Sequence, residues 1–314
     1  MNLRDAAALL AFMRLPAAGN AIARKLLIAA KHMGRTPASM FDVPPHDLIE
    51  GLPQGDLQQL AKRLSEVKRE DIDRAERQIE RLTRHGVHLY VATSSDYPPS
   101  LSHYLRTSAP AMIFCAGNTD LLTVEGAAIV GSRKVSQSGA ALAADCARWF
   151  VRESVPIVSG GATGADSAAH DAALDAGGAT IIVLPQGIRT FRGPRAWMEA
   201  VEEGRALLLS EFDPDLPWTT RAAIVRNTTI CALARLVCVI EPRSSGGSMR
   251  TARRAIELGK PVFFHCGKDV SARDQLAQSG ARPLLGHNGS IDEARLRIAM
   301  TSRPESVPLQ FDLF

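Results

Sequence analysis

The sequence predicts an α/β fold, with a doubly wound, mostly parallel sheet preceded by a small helical domain. Three observations predict it. From about residue 118, short apolar runs (AAIVG, PIVSG, ATIIVL, ALLLSE, LVCVIE, PVFFHC) alternate with helix-forming stretches. These runs lack polar alternation, as strands buried on both faces require. Residues 1–85 instead carry apolar residues at helical spacing and read as helices. Finally, AIVGSRKVSQSG and PIVSGGATGADSAAHDAAL each run from a strand through small residues into a helix. Parallel strands take that form where their carboxyl ends hold an anion.

The elements follow in order. LRDAAALLAFMRL is an apolar-rich helix, and LPAAGNAIARKLLIAAKHM adds a turn and a second one. With a single glycine, the latter is only loosely similar to half of a helix-hairpin-helix, so a plain packing module is expected. Residues 67–85 are strongly charged, with Ile72, Ile79 and Leu82 on one face. VHLYVAT is a strand ended by the proline-bearing turn SSDYPPSL, and APAMIFCAGN holds another. Between the later strands, helices are expected at 138–151, 166–176, about 197–203, 221–234 and 248–258. After Leu285 the pattern fades into one last helix and a tail, TSRPESVPLQFDLF, expected to be mobile. The expected divisions are a helical domain over 1–85, a connecting strand and turn segment over 86–117, the sheet domain over 118–285, and a short helix with its tail over 286–314.

Composition excludes several classes. Hydrophobic residues make up 46% and charged residues 22%, as in soluble globular proteins. A net charge of +4 allows a polyanionic partner without demanding one. No apolar run reaches membrane-spanning length and no secretory signal pattern opens the chain, so no membrane partner is expected. Cys115, Cys146, Cys231, Cys238 and Cys266 are scattered without a Cys-x-x-Cys pair. A disulfide framework or zinc site is therefore not expected, and a reducing cytoplasm is the expected location. His265-Cys266 follows an apolar run and reads as the end of a strand rather than as metal ligands.

The chemistry gathers in four turns at one rim of the sheet: Gly131-Ser132-Arg133, the stretch opening Ser159-Gly160-Gly161, Arg226-Asn227, and the turn around Ser245 and Gly246. Backbone amides, hydroxyls and arginine forks suit phosphate oxygens. Asp166 and His170 lie four apart at the start of a helix, where capping and packing are the expected roles. Glu211 and Glu241 end their strands at the same rim and either orient an arginine or act as a base. No P-loop is present and the dinucleotide fingerprint is missing, so neither a P-loop nucleotidase nor a nicotinamide cofactor is expected.

Taken in order, Gly131-Ser132-Arg133, the 159–170 turn and helix, Ser210-Glu211, Arg226-Asn227, Glu241, the Ser-Gly-Gly-Ser turn with Thr251-Ala252-Arg253, and Gly280-Ala281 resemble the DprA/Smf DNA-processing family of bacteria. The resemblance implies a sterile-alpha-motif-like helical domain followed by an extended Rossmann-like domain. It also implies a homodimer that binds and protects single-stranded DNA and loads the RecA recombinase during natural transformation, with no catalytic reaction and no cofactor. Ser132, Arg133, Ser159, Gly160 and Arg226 match the family's phosphate contacts, and Gly131, Lys134, Gly161, Asn227, Ser245 and Gly246 stand beside them at the rim.

The chain also departs from the family pattern. Thr163 and Thr228 stand where the family usually has arginines, and FRGPRAW replaces its Tyr-Pro stretch. Fewer phosphate contacts imply a shallower salt dependence. Arg189, Arg192 and Arg195 are candidates to restore charge, and Phe191, Trp197 or Trp218 to stack a base. The alternatives are a nucleotide-derivative-binding or -hydrolysing enzyme of the same superfamily, which SGGATGADSAAH also resembles, and a relative serving genome defence. At the chain end, Gln310, Phe311, Asp312, Leu313 and Phe314 resemble the pentapeptide that docks bacterial proteins on the replicative sliding clamp.

Overall fold

The computed structural model describes residues 1–16, 18–44, 47 and 54–301. The clamp-like peptide Gln310, Phe311, Asp312, Leu313 and Phe314 lies outside the described residues.

Among the described residues, the chain opens with α1 (Leu3–Met13), α2 (Asn20–His32), α3 (Gln54–Glu66) and α4 (Arg69–Arg84), with a 3-10 turn at Ala38–Asp42. Asn2 starts α1 by accepting the Asp5 N–H at 2.8 Å. The apolar face foreseen on α4 buries Ile72, Ile79 and Leu82. Leu9, Phe12, Leu26 and Ile79 share one continuous core with Met112, Phe114 and Leu208 of the sheet. The helices are therefore built onto the sheet, and Arg14 reaches Asp213, after the sixth strand, at 2.6 Å.

The sheet has nine strands in the order β1-β2-β6-β5-β4-β3-β7-β8-β9. They are β1 (Val87–Val91), β2 (Met112–Gly117), β3 (Gly126–Gly131), β4 (Ile157–Ser159), β5 (Thr180–Val183), β6 (Ala206–Ser210), β7 (Ala234–Ile240), β8 (Val262–His265) and β9 (Arg282–Pro283). β1 and β2 add antiparallel to one edge, and every pairing from β6 to β9 is parallel. After β3 the chain winds to β4, β5 and β6, then crosses back to β7 on the other side of β3. The carboxyl ends of β3 and β7 therefore flank the point where the winding reverses, the usual ligand position of open α/β sheets.

Between the strands lie α5 (Pro99–Leu105), α6 (Gln137–Arg152), α7 (Ala165–Asp175), α8 (Arg195–Glu202), α9 (Thr220–Leu233), α10 (Gly247–Glu257), α11 (Val270–Gln278) and α12 (Glu293–Thr301). One face of the sheet buries Cys146, Trp149 and Ala169 against Ile129 and Ile240. The other buries Ile230, Leu233 and Met249 against Val130 and Val239. Helices thus cover both faces of an α/β sheet, the architecture the apolar runs predict.

Two elements differ from expectation. The SSDYPPSL turn does not simply end β1, because Pro99 opens α5, where a first-turn proline gives up no needed N–H. The helix α11, capped by Asp269 accepting from the Ala272 N–H at 2.8 Å, has too weak an apolar stripe to stand out in the sequence. All five cysteines are free and buried.

Candidate nucleic-acid interface

β3 and β4 lie side by side, so the turns that follow them share one rim. The two turns are held together from inside. Asp166, in the first turn of α7, accepts the Gly131 N–H at 3.3 Å and the Gly160 N–H at 3.2 Å. The Ala162 N–H also bonds this carboxylate. The amides expected to face a phosphate are therefore turned inward onto a protein carboxylate. Gly164, at φ +96°, is where a side chain would strike the Ser132 carbonyl, so only glycine lets the second turn close against the first.

Arg226 differs from its expected role. It is only 4% exposed and reaches from α9 to donate to the Val183 carbonyl at the end of β5. It stands between Asp166 and Glu211, the latter accepting from Thr229 Oγ1 at 2.7 Å. Burial pulls Arg226 down to about 10, against the two carboxylates, and leaves it charged at neutral pH. Burial likewise pushes Asp166 and Glu211 up, against the pull of Arg226. Gly160 packs on the Arg226 guanidinium so closely that a Cβ there would overlap it.

Other expected contacts are also internal. Ser159 is fully buried, with Oγ donating to the Ile129 carbonyl at 2.5 Å, so it does not face a ligand. His170 is fully buried against the Trp197 ring, and Thr180 Oγ1 already donates to the Ile157 carbonyl. The imidazole must then donate through Nδ1 to that hydroxyl, at 2.6 Å. Burial pulls its pKa down to about 3. Trp197 donates to Asp171 at 2.6 Å and is buried, which removes it as a stacking platform. Among the described residues Glu241 orients no arginine. Held at φ +45°, it accepts from the Ser136 N–H at 2.7 Å and Oγ at 2.5 Å, tying the loop after β7 to the loop after β3.

What remains open is a cleft. Arg133, residues 160–163, Pro185, Phe191, Trp218 and Arg226 line it. Arg133 lies over the Trp218 ring at 5.3 Å from its centroid, and Trp218 is 46% exposed. Lys134 is exposed beside it, with its N–H held by Ser132 Oγ at 3.1 Å. Thr163 is exposed at the lip, whereas Asn227 and Thr228 are half-buried on α9. The cleft measures about 200 Å³, below the roughly 300–1,000 Å³ of pockets that enclose a small molecule, so it admits part of a ligand.

The turn with Ser245 and Gly246 follows β7 and does not line the cleft. Of the three arginines of the altered stretch, two are paired with carboxylates. Arg189 pairs with Asp215 at 3.2 Å, Arg195 with Glu199 at 2.7 Å, and Arg192 donates to the carbonyls of Arg189 and Phe191. Sequence reasoning missed Pro185 and Gln186, although their position just past the end of β5 marks them as rim residues.

The sequence profile of the family described as DNA recombination-mediator protein A matches residues 88–294. The chain belongs to that family. The DNA processing protein DprA of Streptococcus pneumoniae strain R6 is 39% identical over 192 residues, 59% of this chain and 67% of the relative. Protein Smf of Escherichia coli K12 is 37% identical over 179 residues, 56% of this chain and 47% of that one. A Mycobacterium tuberculosis H37Rv relative is 30% identical over 71% of this chain, which spans 59% of that relative's length. Among solved structures, DprA from S. pneumoniae superposes with a TM-score of 0.59 at 28% identity, over 84% of this chain and 95% of that one. A structure addressing the single-stranded DNA binding mode of the Helicobacter pylori protein gives 0.53 at 25% identity, over 63% and 92%.

Proposed function

We propose that this family member binds single-stranded DNA without catalysing a reaction on it, and that the strand enters the cleft beside Arg133. The observation that carries the reading is the exposed Arg133 stacked on the exposed Trp218 at the mouth of that cleft. A fixed positive fork takes a backbone phosphate, and an indole face takes any base without reading its sequence. Arg226, buried and paired with carboxylates, lines the cleft without being the outer grip.

Binding rather than catalysis is favoured by where the titratable groups stand. Asp166 is engaged by backbone amides, Glu211 by Thr229, and His170 is sealed from solvent. No acid–base pair is presented to the cleft among the described residues. The small cleft volume favours a passing strand over an enclosed mononucleotide. Within the cell this reading extends to a cytoplasmic homodimer that protects incoming DNA and passes it to RecA during transformation. On its sequence alone, the Gln310 to Phe314 peptide is assigned to the sliding clamp, and its deletion is expected to abolish clamp pull-down while leaving DNA affinity unchanged.

The test is a length series in one binding assay, from a mononucleotide to strands of about 16 nucleotides. Affinity is expected to rise with length and to fall for Arg133→Ala on all sequences alike. Tight binding of a mononucleotide with no gain from longer strands would reject this reading and favour the nucleotide-processing one.

A further inference from the structure

Free charge is distributed unevenly along the rim. On the β5 and β6 side acids stand at the rim and take up part of the charge: Asp215 pairs with Arg189 and accepts from Gln78 at 2.7 Å, and Asp213 pairs with Arg14, while Arg192 and Arg221 are exposed without a carboxylate at ion-pair distance among the described residues. On the other side of β3 the cations are unpaired. Lys134 follows β3, Arg243 follows β7 and Lys268 follows β8, and all three are exposed. Among the described residues, none of their side chains has a carboxylate within ion-pair distance. The acids nearest them in the chain are occupied, Glu241 by Ser136 and Asp269 by the Ala272 N–H.

These loops are also physically joined. Glu241 bonds Ser136 in the loop after β3, and Gly267 in the loop after β8 sits so close that a Cβ there would lie 3.2 Å from the Glu241 carboxylate. Because β3, β7 and β8 are parallel neighbours, their carboxyl ends form one continuous edge. At about 4.8 Å between strands, that edge carries the basic track roughly 10 Å beyond Arg133.

We infer that a single strand held in the cleft leaves it past Lys134 and runs over the ends of β7 and β8, with Arg243 and Lys268 neutralising successive phosphates. The inference rests on the DNA-binding reading and adds a direction and a second contact segment to it. It also gives the loop after β7, which lies outside the cleft, a part in binding. The strand crosses the point where the winding reverses and moves away from the β5 and β6 side, where Asp213 and Asp215 stand at the rim.

The test compares wild type with the double variant Arg243→Ala/Lys268→Ala on two strands, about 4 and about 16 nucleotides long. Both residues are exposed, so folding is not at risk. For the long strand the plot of log affinity against log salt is expected to flatten by about 1.4, the effect of two lost single-strand phosphate contacts. The short strand is expected to bind the variant as it binds wild type. An unchanged long-strand slope in the double variant, with Arg133→Ala still weakening both strands, overturns the path and leaves the cleft standing. A flattened slope for Arg189→Ala/Arg192→Ala instead would place the path on the opposite side and also overturn it. Failure of the wild type to bind either strand would sink the underlying reading itself.

Discussion

Replacing Asp166 by asparagine separates two accounts of this rim. In the structure its two carboxylate oxygens take the Gly131 and Gly160 amides, at 3.3 and 3.2 Å. Asparagine keeps one acceptor and presents an NH₂ to the other amide, leaving a buried donor facing a donor. An orphaned buried donor costs about 1–3 kcal/mol. Arg226 also loses one of its two carboxylates but keeps Glu211, so the ionic loss stays well below the roughly 3–5 kcal/mol of a fully broken buried pair. A destabilisation of about 2–4 kcal/mol is expected, read from the urea midpoint at constant slope. DNA affinity should fall with it, because the walls of the cleft lose their common anchor. If these amides instead served phosphate, removing a negative charge beside them would raise DNA affinity. Tighter DNA binding by Asp166→Asn, or unchanged stability, would refute the account.

Two further outcomes follow from buried groups. His170 is held neutral with a pKa near 3, against an ordinary value of 6.5, so the unfolded chain takes up its proton first as pH falls. Its contribution is complete well above pH 6.5 and is lost on acidification toward pH 3; between about pH 6.5 and 4.5 that loss is roughly 2 kcal/mol. Asp166 and Glu211, raised by burial, act in the opposite direction in both proteins, so the difference between wild type and His170→Asn in urea unfolding isolates the histidine. An identical pH dependence for the two would contradict it. Gly160→Ala would push a methyl into the Arg226 guanidinium, and a loss of stability of at least about 1–3 kcal/mol is expected, measured as a lowered thermal midpoint. A wild-type midpoint would show that Arg226 does not pack there.

The alternation of apolar runs and helices made the sheet legible, because doubly buried strands have no polar face to confuse the pattern. The helix predicted at 138–151 is Gln137–Arg152 and that at 248–258 is Gly247–Glu257. The proline-rich turn was misleading because a proline that stops a strand also starts a helix, as Pro99 does. At the site, local chemistry was legible but its direction was not. Asp166 sits where an aspartate caps a helix, and it does bond amides, but they belong to Gly131, Gly160 and Ala162. Those partners come together only through the pairing of β3 with β4. Arg226 likewise carries no sign in the sequence that its fork will be buried against the end of β5. The Arg133–Trp218 stack joins two loops 85 positions apart, a contact no spacing rule anticipates.

The most direct measurement is tryptophan emission during titration with a single strand. Of the three tryptophans, Trp149 and Trp197 are buried and only Trp218 is exposed. Saturable quenching is predicted, lost in Trp218→Phe and shifted to higher DNA concentration in Arg133→Ala. DNA binding that leaves the emission of the wild-type protein unchanged would place the strand somewhere other than this cleft.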